Sequence, residues 1–403
     1  MPHLIGYVDD TGSEGSAHWQ MLDTIRRFAC GYGTWAAPTF SGTGTGTLGS
    51  IDTHPATVTE TWTITCTDAT TPGAEVWSVV GSVSGAQANA TTGVAYDNGL
   101  VAFTIAAGAT AFAVSDAFTL DTTQGLLSAA GQAWVEQRYD TSGAKRELIL
   151  KGAGLSGQDA IYIGLRTYED VSADYYNMSV AGFTGYVAGN TFQSQPGYQE
   201  KGICAHNQRI DYWLAVNGQR IAFGMKVGTP VYEPAYVGFF LPYATPGQYP
   251  YPLAVIGTLN GTPATRFSDT SHTMGFKGGR SSGAFRFVDG TWIQPSMWPW
   301  SNDVLTTASQ LRDTGGDYLL PAIVVHDGSN LYGELDGVRH MSGFNNTVES
   351  VSQVGGTPVV DNVAWTSSER VAAILAAGGT PYITLQDVYR NGFSDYLALE
   401  LSN

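Results

Sequence analysis

Val58-Thr59-Glu60-Thr61-Trp62-Thr63-Ile64-Thr65-Cys66 alternates between threonine and a second residue type without a break. A side-chain period of two places Val58, Glu60, Trp62, Ile64 and Cys66 on one face and the threonines on the other, the mark of a half-buried β-strand. Glu60 is the one charge on that otherwise apolar face.

The same rhythm continues outward. Further strands are expected at residues 75–84, 100–105, 111–114 and 117–121, with Asp97-Asn98-Gly99 as a hairpin turn before the second of them. Short strands punctuated by Gly, Asn and Pro imply an all-β sandwich of immunoglobulin-like size. The spacing of cysteines and tryptophan that marks an immunoglobulin domain proper is missing.

Charge sets this module apart. Of the 403 residues only 13% are charged, where about 25% is usual, and the net charge is −16. Between Arg27 and Arg138 there is no Lys or Arg, and the eight acidic residues there supply half of that net charge. We therefore expect residues 38–124 to form an inserted sandwich, with Gly/Thr-rich 40–49 and 121–125 as linkers. Residues 16–30 carry apolar groups at helical spacing, with Ser16 before and Gly31 after. That helix needs a partner surface, so residues 1–37 are assigned with 125–403 to a discontinuous main domain. Its strand signals recur at 133–139 and 145–151, at 160–167, at 209–216 and 219–227 around a type I′ Asn217-Gly218, and at 382–389 and 395–401. Helices are expected only at 301–311 and after Thr366-Ser-Ser-Glu369. The fold class read from the chain is mainly β with a few helices (α+β).

Composition excludes several functions. No apolar run reaches the roughly 20 residues of a membrane span, and Asp9, Asp10 and Glu14 stand where an export signal would be basic and then apolar. A net charge of −16 with no basic cluster would repel a phosphate backbone, so no nucleic-acid partner is expected. Cys30, Cys66 and Cys204 fit neither a disulfide framework nor a metal motif and read as small buried residues.

Catalytic motifs fare no better. Gly44-Thr-Gly46-Thr-Leu-Gly49 has the dinucleotide spacing but no strand before it or helix after it. Gly279-Arg-Ser-Ser-Gly283 has the nucleophile-elbow spacing, yet a strand-like alternation follows where a helix is needed. The seven histidines show no metal-binding spacing. Glu334 and Asp336 share a strand face as a glycosidase pair could, against the ordinary reading of a solvated edge. No catalytic, metal or cofactor residue is assigned.

The distinctive segments are aromatic and proline-rich. Residues 241–252 hold four prolines and cannot be a central strand, so Tyr243, Tyr249 and Tyr251 lie on a loop; Met297-Trp298-Pro299-Trp300 is a second such segment. Rigidly held rings suit partner or sugar binding when exposed, and otherwise fold back over the core. The candidate interface is Phe239, Phe240, Tyr243, Tyr249, Tyr251, Trp298 and Trp300.

Taken together, Glu147-Leu-Ile-Leu-Lys-Gly-Ala-Gly-Leu-Ser-Gly157, Ile161-Tyr-Ile-Gly-Leu-Arg-Thr-Tyr168, Asp174-Tyr-Tyr-Asn177, Ala181-Gly-Phe-Thr-Gly-Tyr186, Gly238-Phe-Phe-Leu-Pro-Tyr-Ala-Thr-Pro246 and Tyr332-Gly-Glu-Leu-Asp-Gly337 resemble virion proteins of tailed bacteriophages and prophages. The likeness covers most of the main domain and the N-terminal helix. The insert, with Trp62-Thr-Ile-Thr-Cys66 and Tyr96-Asp-Asn-Gly99, looks like a sandwich grafted into several phage tail proteins. The resemblance implies a non-enzymatic structural part of the tail or baseplate, made in the host cytoplasm and residing in the virion. Its partners would be copies of itself and other virion proteins. The alternative is a glycan-binding or glycan-cleaving protein, which could be a receptor-binding tail protein. There, Trp298, Trp300 and Tyr251 would stack on host surface glycan beside Glu334 and Asp336.

Overall fold

A computed structural model describes residues 2–11, 15–154, 160–228, 231–264, 266, 275–277, 282–294, 296–298, 300–301, 304–305, 318–326, 330–342, 350–354, 357–361, 368–386 and 396–402. The chain is mainly β, and every strand pairing among the described residues is antiparallel. It divides into two compact units, residues 27–133 and residues 1–26 with 134–403.

In the 27–133 unit the alternating stretch becomes the strand Glu60–Asp68, with Trp62, Ile64 and Cys66 buried. It pairs on one side with Val76–Gly81 and on the other with Ala117–Thr123. A second sheet joins Thr47–Thr53, Val101–Ala106 and Ala95–Asp97. Both sheets contribute to one core, in which Trp62, Trp77, Phe103, Phe118 and Leu120 are fully or almost fully buried. Each tryptophan still satisfies its indole N–H: Trp62 Nε1 donates to Thr122 Oγ1 at 3.1 Å and Trp77 Nε1 to Thr92 Oγ1 at 2.9 Å.

Glu60 is buried on the apolar face because its carboxylate closes a loop. Oε2 accepts the backbone N–H groups of Val83 and Ser84, both at 3.0 Å, and Oε1 accepts Ser84 Oγ at 2.9 Å. The strand expected at 111–114 does not form; Phe112 instead plugs the core, edge-on to Trp77 at 4.7 Å between ring centroids.

The linker reading of 40–49 is corrected. Thr39–Ser41 pairs with Ala117–Thr123, and Thr47–Thr53 is a full strand. Between them the glycines allow close approach: a Cβ on Gly44 would lie 2.4 Å from the Phe112 ring, and one on Gly46 2.2 Å from the Ala106 carbonyl oxygen. The buried Asp116 carboxylate accepts the N–H groups of Thr43, Gly44 and Ala113, each at 3.0 Å. The exit segment is structured as well, since the strand runs to Thr123 and the short helix Leu126–Ala129 follows. The dinucleotide-like glycines thus lead into a strand, with no helix N-terminus for a phosphate.

In the other unit, the strand His3–Val8 pairs with Ile210–Val216, opening a sheet that continues through Arg220–Gly228, Val231–Phe239, Leu253–Ile256, Gly283–Arg286 and Trp292–Ile293. Pro234 sits opposite Gly224, before the second neighbour begins to pair at Tyr236, so its missing N–H interrupts no ladder on that side. A five-stranded meander runs from Val135–Asp140 to Gln199–Cys204. The third sheet includes Tyr318–His326, Asn330–Ser342, Thr380–Gln386 and Tyr396–Glu400. The first and third sheets share a core containing Trp213, Tyr236, Phe240, Leu335, Ile383 and Leu399. The helix Ala17–Ala29 buries Ala17, Met21, Leu22, Ile25 and Ala29.

Two local expectations are corrected here. Neither Asn217 nor Gly218 has a positive φ, so the hairpin is not type I′; Asn217 Oδ1 instead accepts the N–H groups of Gln219 and Arg220 at 2.9 and 3.0 Å. Where a helix was expected at 301–311, Trp300–Ser301 and Val304–Leu305 are strands, and the rest lies outside the described residues. The second expected helix is present at Ser368–Ala376. No helix among the described residues is long and apolar enough to cross a membrane. Cys30, Cys66 and Cys204 are all buried thiols.

Candidate functional site

The proline-rich stretch after Val231–Phe239 leaves the sheet and returns to it at the same place, because Phe239 pairs directly with Leu253. Its departure needs glycine. Gly238 has φ +130°, and a Cβ there would lie 2.3 Å from the Gln219 carbonyl oxygen. Leu241–Pro242 then lies along Asn330–Ser342, with Leu241 opposite Glu334, and Tyr243 N–H donates to the Tyr332 carbonyl at 2.9 Å. A turn at Thr245 sends the chain back, with Gln248 N–H on the Thr245 carbonyl at 2.9 Å. Tyr251 reaches the sheet through a left-handed conformation, φ +57°.

This excursion walls a cleft of about 330 Å³ lined by Phe239, Phe240, Leu241, Pro242, Pro246, Tyr249, Pro250, Tyr251 and Pro252, with Ala160 and Gln219. Rings and pyrrolidines dominate it, and the one side-chain amide is Gln219. Phe240 forms the floor, edge-on to Tyr249 at 5.5 Å and to Phe285 at 5.9 Å. Tyr249 is anchored by its hydroxyl, which donates to the Arg286 carbonyl at 2.7 Å; burial pushes that phenol well above its usual range.

The structure splits the candidate interface. Phe239, Phe240 and Tyr249 are buried, packed against this chain's own residues around the cleft. Tyr251 is half-buried beneath the Arg286 guanidinium, 5.4 Å from its ring centroid. Tyr243 is exposed, at 56% of its free surface. Trp298 and Trp300 lie in the short strands Ser296–Trp298 and Trp300–Ser301, and their side chains are outside the described residues.

The two carboxylates of the glycosidase reading have separate surroundings. Asp336 Oδ2 accepts Asn217 Nδ2 at 2.5 Å and Arg220 Nε at 3.3 Å, while Arg220, fully buried, also donates from Nη1 to the Ala215 carbonyl at 2.7 Å. Asn217 is held in turn by Trp134 Nε1, which donates to its carbonyl at 2.8 Å. Asp336 therefore joins two sheets as a structural anion. Glu334 is half-buried opposite Leu241, on the cleft's outer strand. Among the described residues no three His, Cys, Asp or Glu side chains converge as a metal site.

A second polar assembly, absent from the sequence reading, covers the five-stranded meander. Glu200 accepts the hydroxyls of Tyr168, Tyr198 and Ser179, and Arg166 donates to Glu147 while lying 4.4 Å from the Phe192 ring centroid. Burial first, and then the Glu200 carboxylate, hold the Tyr168 and Tyr198 phenols above their usual range. Alternate positions on four neighbouring strands were the signal: the pairings Glu147–Arg166, Arg166–Ser179 and Ala181–Glu200 put these groups on one face.

No protein-family model matches the chain, and no curated protein does. Among solved structures, the crystal structure of Xanthomonas campestris FlgL aligns at 18% identity and a TM-score of 0.18, over 25% of this chain and 33% of that one. The chain thus spans about a third of that protein's length, and a likeness of this size carries no argument about fold or function.

Proposed function

We propose that this chain is a non-enzymatic structural component of a tailed-bacteriophage virion, in the tail or baseplate, acting through contacts between subunits. One observation carries the reading. Gly238-Phe-Phe-Leu-Pro-Tyr-Ala-Thr-Pro246, among the motifs behind the resemblance, is also the segment that walls the apolar cleft and sets the exposed Tyr243 beside it. A ring on a stretch stiffened by prolines loses little entropy when a partner covers it. The use of Asp336 as a structural anion supports the same side, because it removes one carboxylate from the glycosidase alternative.

The test is antibody labelling of purified particles from the phage or prophage that encodes the chain. Label along the tail or at its tip agrees with the proposal. Particles that lack the chain overturn it. Tyr243→Ala is expected to lower incorporation of the chain into particles while leaving its melting temperature within a degree or so, as surface changes do. Tyr243-dependent capture of a polysaccharide in a glycan array would move the chain to the receptor-binding alternative.

A further inference from the structure

We propose that His18 is an acid-sensitive latch that releases the first turns of the helix Ala17–Ala29 from the five-stranded meander in mildly acidic solution.

The geometry is that of a base sealed away from water. His18 has no exposed surface, and neither ring nitrogen has a hydrogen-bond partner among the described residues. Its walls are Trp19, at 5.6 Å between ring centroids, and Tyr176, edge-on at 5.7 Å. One carboxylate faces it: Glu169 Oε2 lies 3.4 Å from Nε2, close enough for attraction but not aligned as a hydrogen bond. Two cationic or titratable groups face it as well, Arg146, which also stacks on Trp19 at 4.0 Å, and His206.

An imidazolium in this place would be stripped of water and set beside a guanidinium. Burial first, then Arg146 and His206, push the His18 base down to about 3. When the helix lifts, the ring meets water and regains its ordinary value near 6.5. Opening therefore takes up a proton as the pH falls through about 6.5, and the slope of the opening constant approaches tenfold per pH unit below that. Glu169 acts in the opposite sense. Burial holds its carboxyl above the ordinary value against the pull of Arg146, so opening releases a proton from it once the pH nears its own range. The clean window thus lies below about 6.5 and above the range in which the Glu169 carboxyl takes up its proton. Among the described residues, the hydrogen bonds that tie this end to other segments are Ala17 N–H to the Asn207 carbonyl at 3.2 Å and Gln20 Nε2 to the carbonyls of Gly15 and Asp9. The rest of its attachment is apolar burial of Ala17, Met21 and Leu22, which opening must uncover along with His18.

The experiment is amide hydrogen exchange of residues 20–25 in the full chain at pH 7.5, 6.5 and 5.5, corrected for the intrinsic pH dependence of exchange. The opening constant is expected to rise about fivefold between pH 6.5 and 5.5, and by no more than about twofold between 7.5 and 6.5. His18→Gln should abolish the rise and His206→Gln should keep it. No rise in the natural chain, or the same rise in His18→Gln, overturns the latch; loss of the rise in His206→Gln overturns it too, by assigning the proton to the other ring. If His18→Gln does not fold, the carbon-13 Cε1 resonance of His18 in the natural chain decides. A resonance that stays put from pH 7.5 to 5.5 supports the latch, and a midpoint near 6.5 overturns it.

Discussion

Arg220, fully buried, holds Asp336 through Nε at 3.3 Å from Oδ2, and so ties the hairpin at Asn217 to the strand Asn330–Ser342. Removing the carboxylate takes away the acceptor that Arg220 Nε and Asn217 Nδ2 share. Asp336→Ala is expected to destabilise by about 1–3 kcal/mol, the cost of leaving such donors without that acceptor. A urea midpoint unchanged within error would contradict this.

Glu60 and Asp116 do the same for backbone amides in the 27–133 unit. Burial pushes Asp116 up, but the N–H groups of Ala113, Thr43 and Gly44 outweigh it and hold the carboxyl below its usual range. A depressed carboxyl contributes stability that is complete above the unfolded value, near 3.8, and is lost as pH falls through the folded one. Acid unfolding of this unit should therefore shift to higher pH in Asp116→Asn. Glu60→Ala, which strands the Val83 and Ser84 amides, should cost about 1–3 kcal/mol at neutral pH, read by denaturant titration.

Gly238 marks the departure of the cleft loop. A methyl group there would meet the Gln219 carbonyl at 2.3 Å, at a φ of +130°. Gly238→Ala should lower stability by about 2 kcal/mol or more and blunt any effect of Tyr243→Ala on particle incorporation, since the loop would no longer be held in place.

Tyr249 and Tyr243 separate structure from contact. Tyr249→Phe should cost about 1 kcal/mol, the worth of its bond to the Arg286 carbonyl, and Tyr249→Ala about 3–5 kcal/mol. Thermal melts that rank Tyr243→Ala beside Tyr249→Ala would reverse the assignment of the two rings.

These contrasts mark what the chain's letters could disclose. Period-two alternation disclosed Glu60–Asp68, because a half-buried strand writes its burial directly into sequence, whereas Ile210–Val216, buried at all but one position, was marked by the Asn217-Gly218 turn that follows it. Glu60 looked like a flaw in that pattern, yet a carboxylate on a buried face implies amides waiting for it. The Gly/Thr run at 40–49 read as linker because glycine signals flexibility and close approach with the same letter; only the positions of Phe112 and the Ala106 carbonyl separate the two. The strand His3–Val8 went unread since its burial does not alternate. The sequence left open which loop rings face outward: Tyr243 is exposed, whereas Phe240 and Tyr249 are buried through contacts with Phe285 and Arg286, distant in sequence.

The cation-free stretch has a consequence for anyone who handles the protein. A protease that cuts only after Lys or Arg finds sites at Arg27 and Arg138 and none between them. The compact unit 27–133 falls almost wholly inside that interval. Such a digest will deliver almost all of this unit as one long peptide whether or not it is folded, so tryptic fragments report on the rest of the chain alone, and amine-directed labels will leave this unit dark.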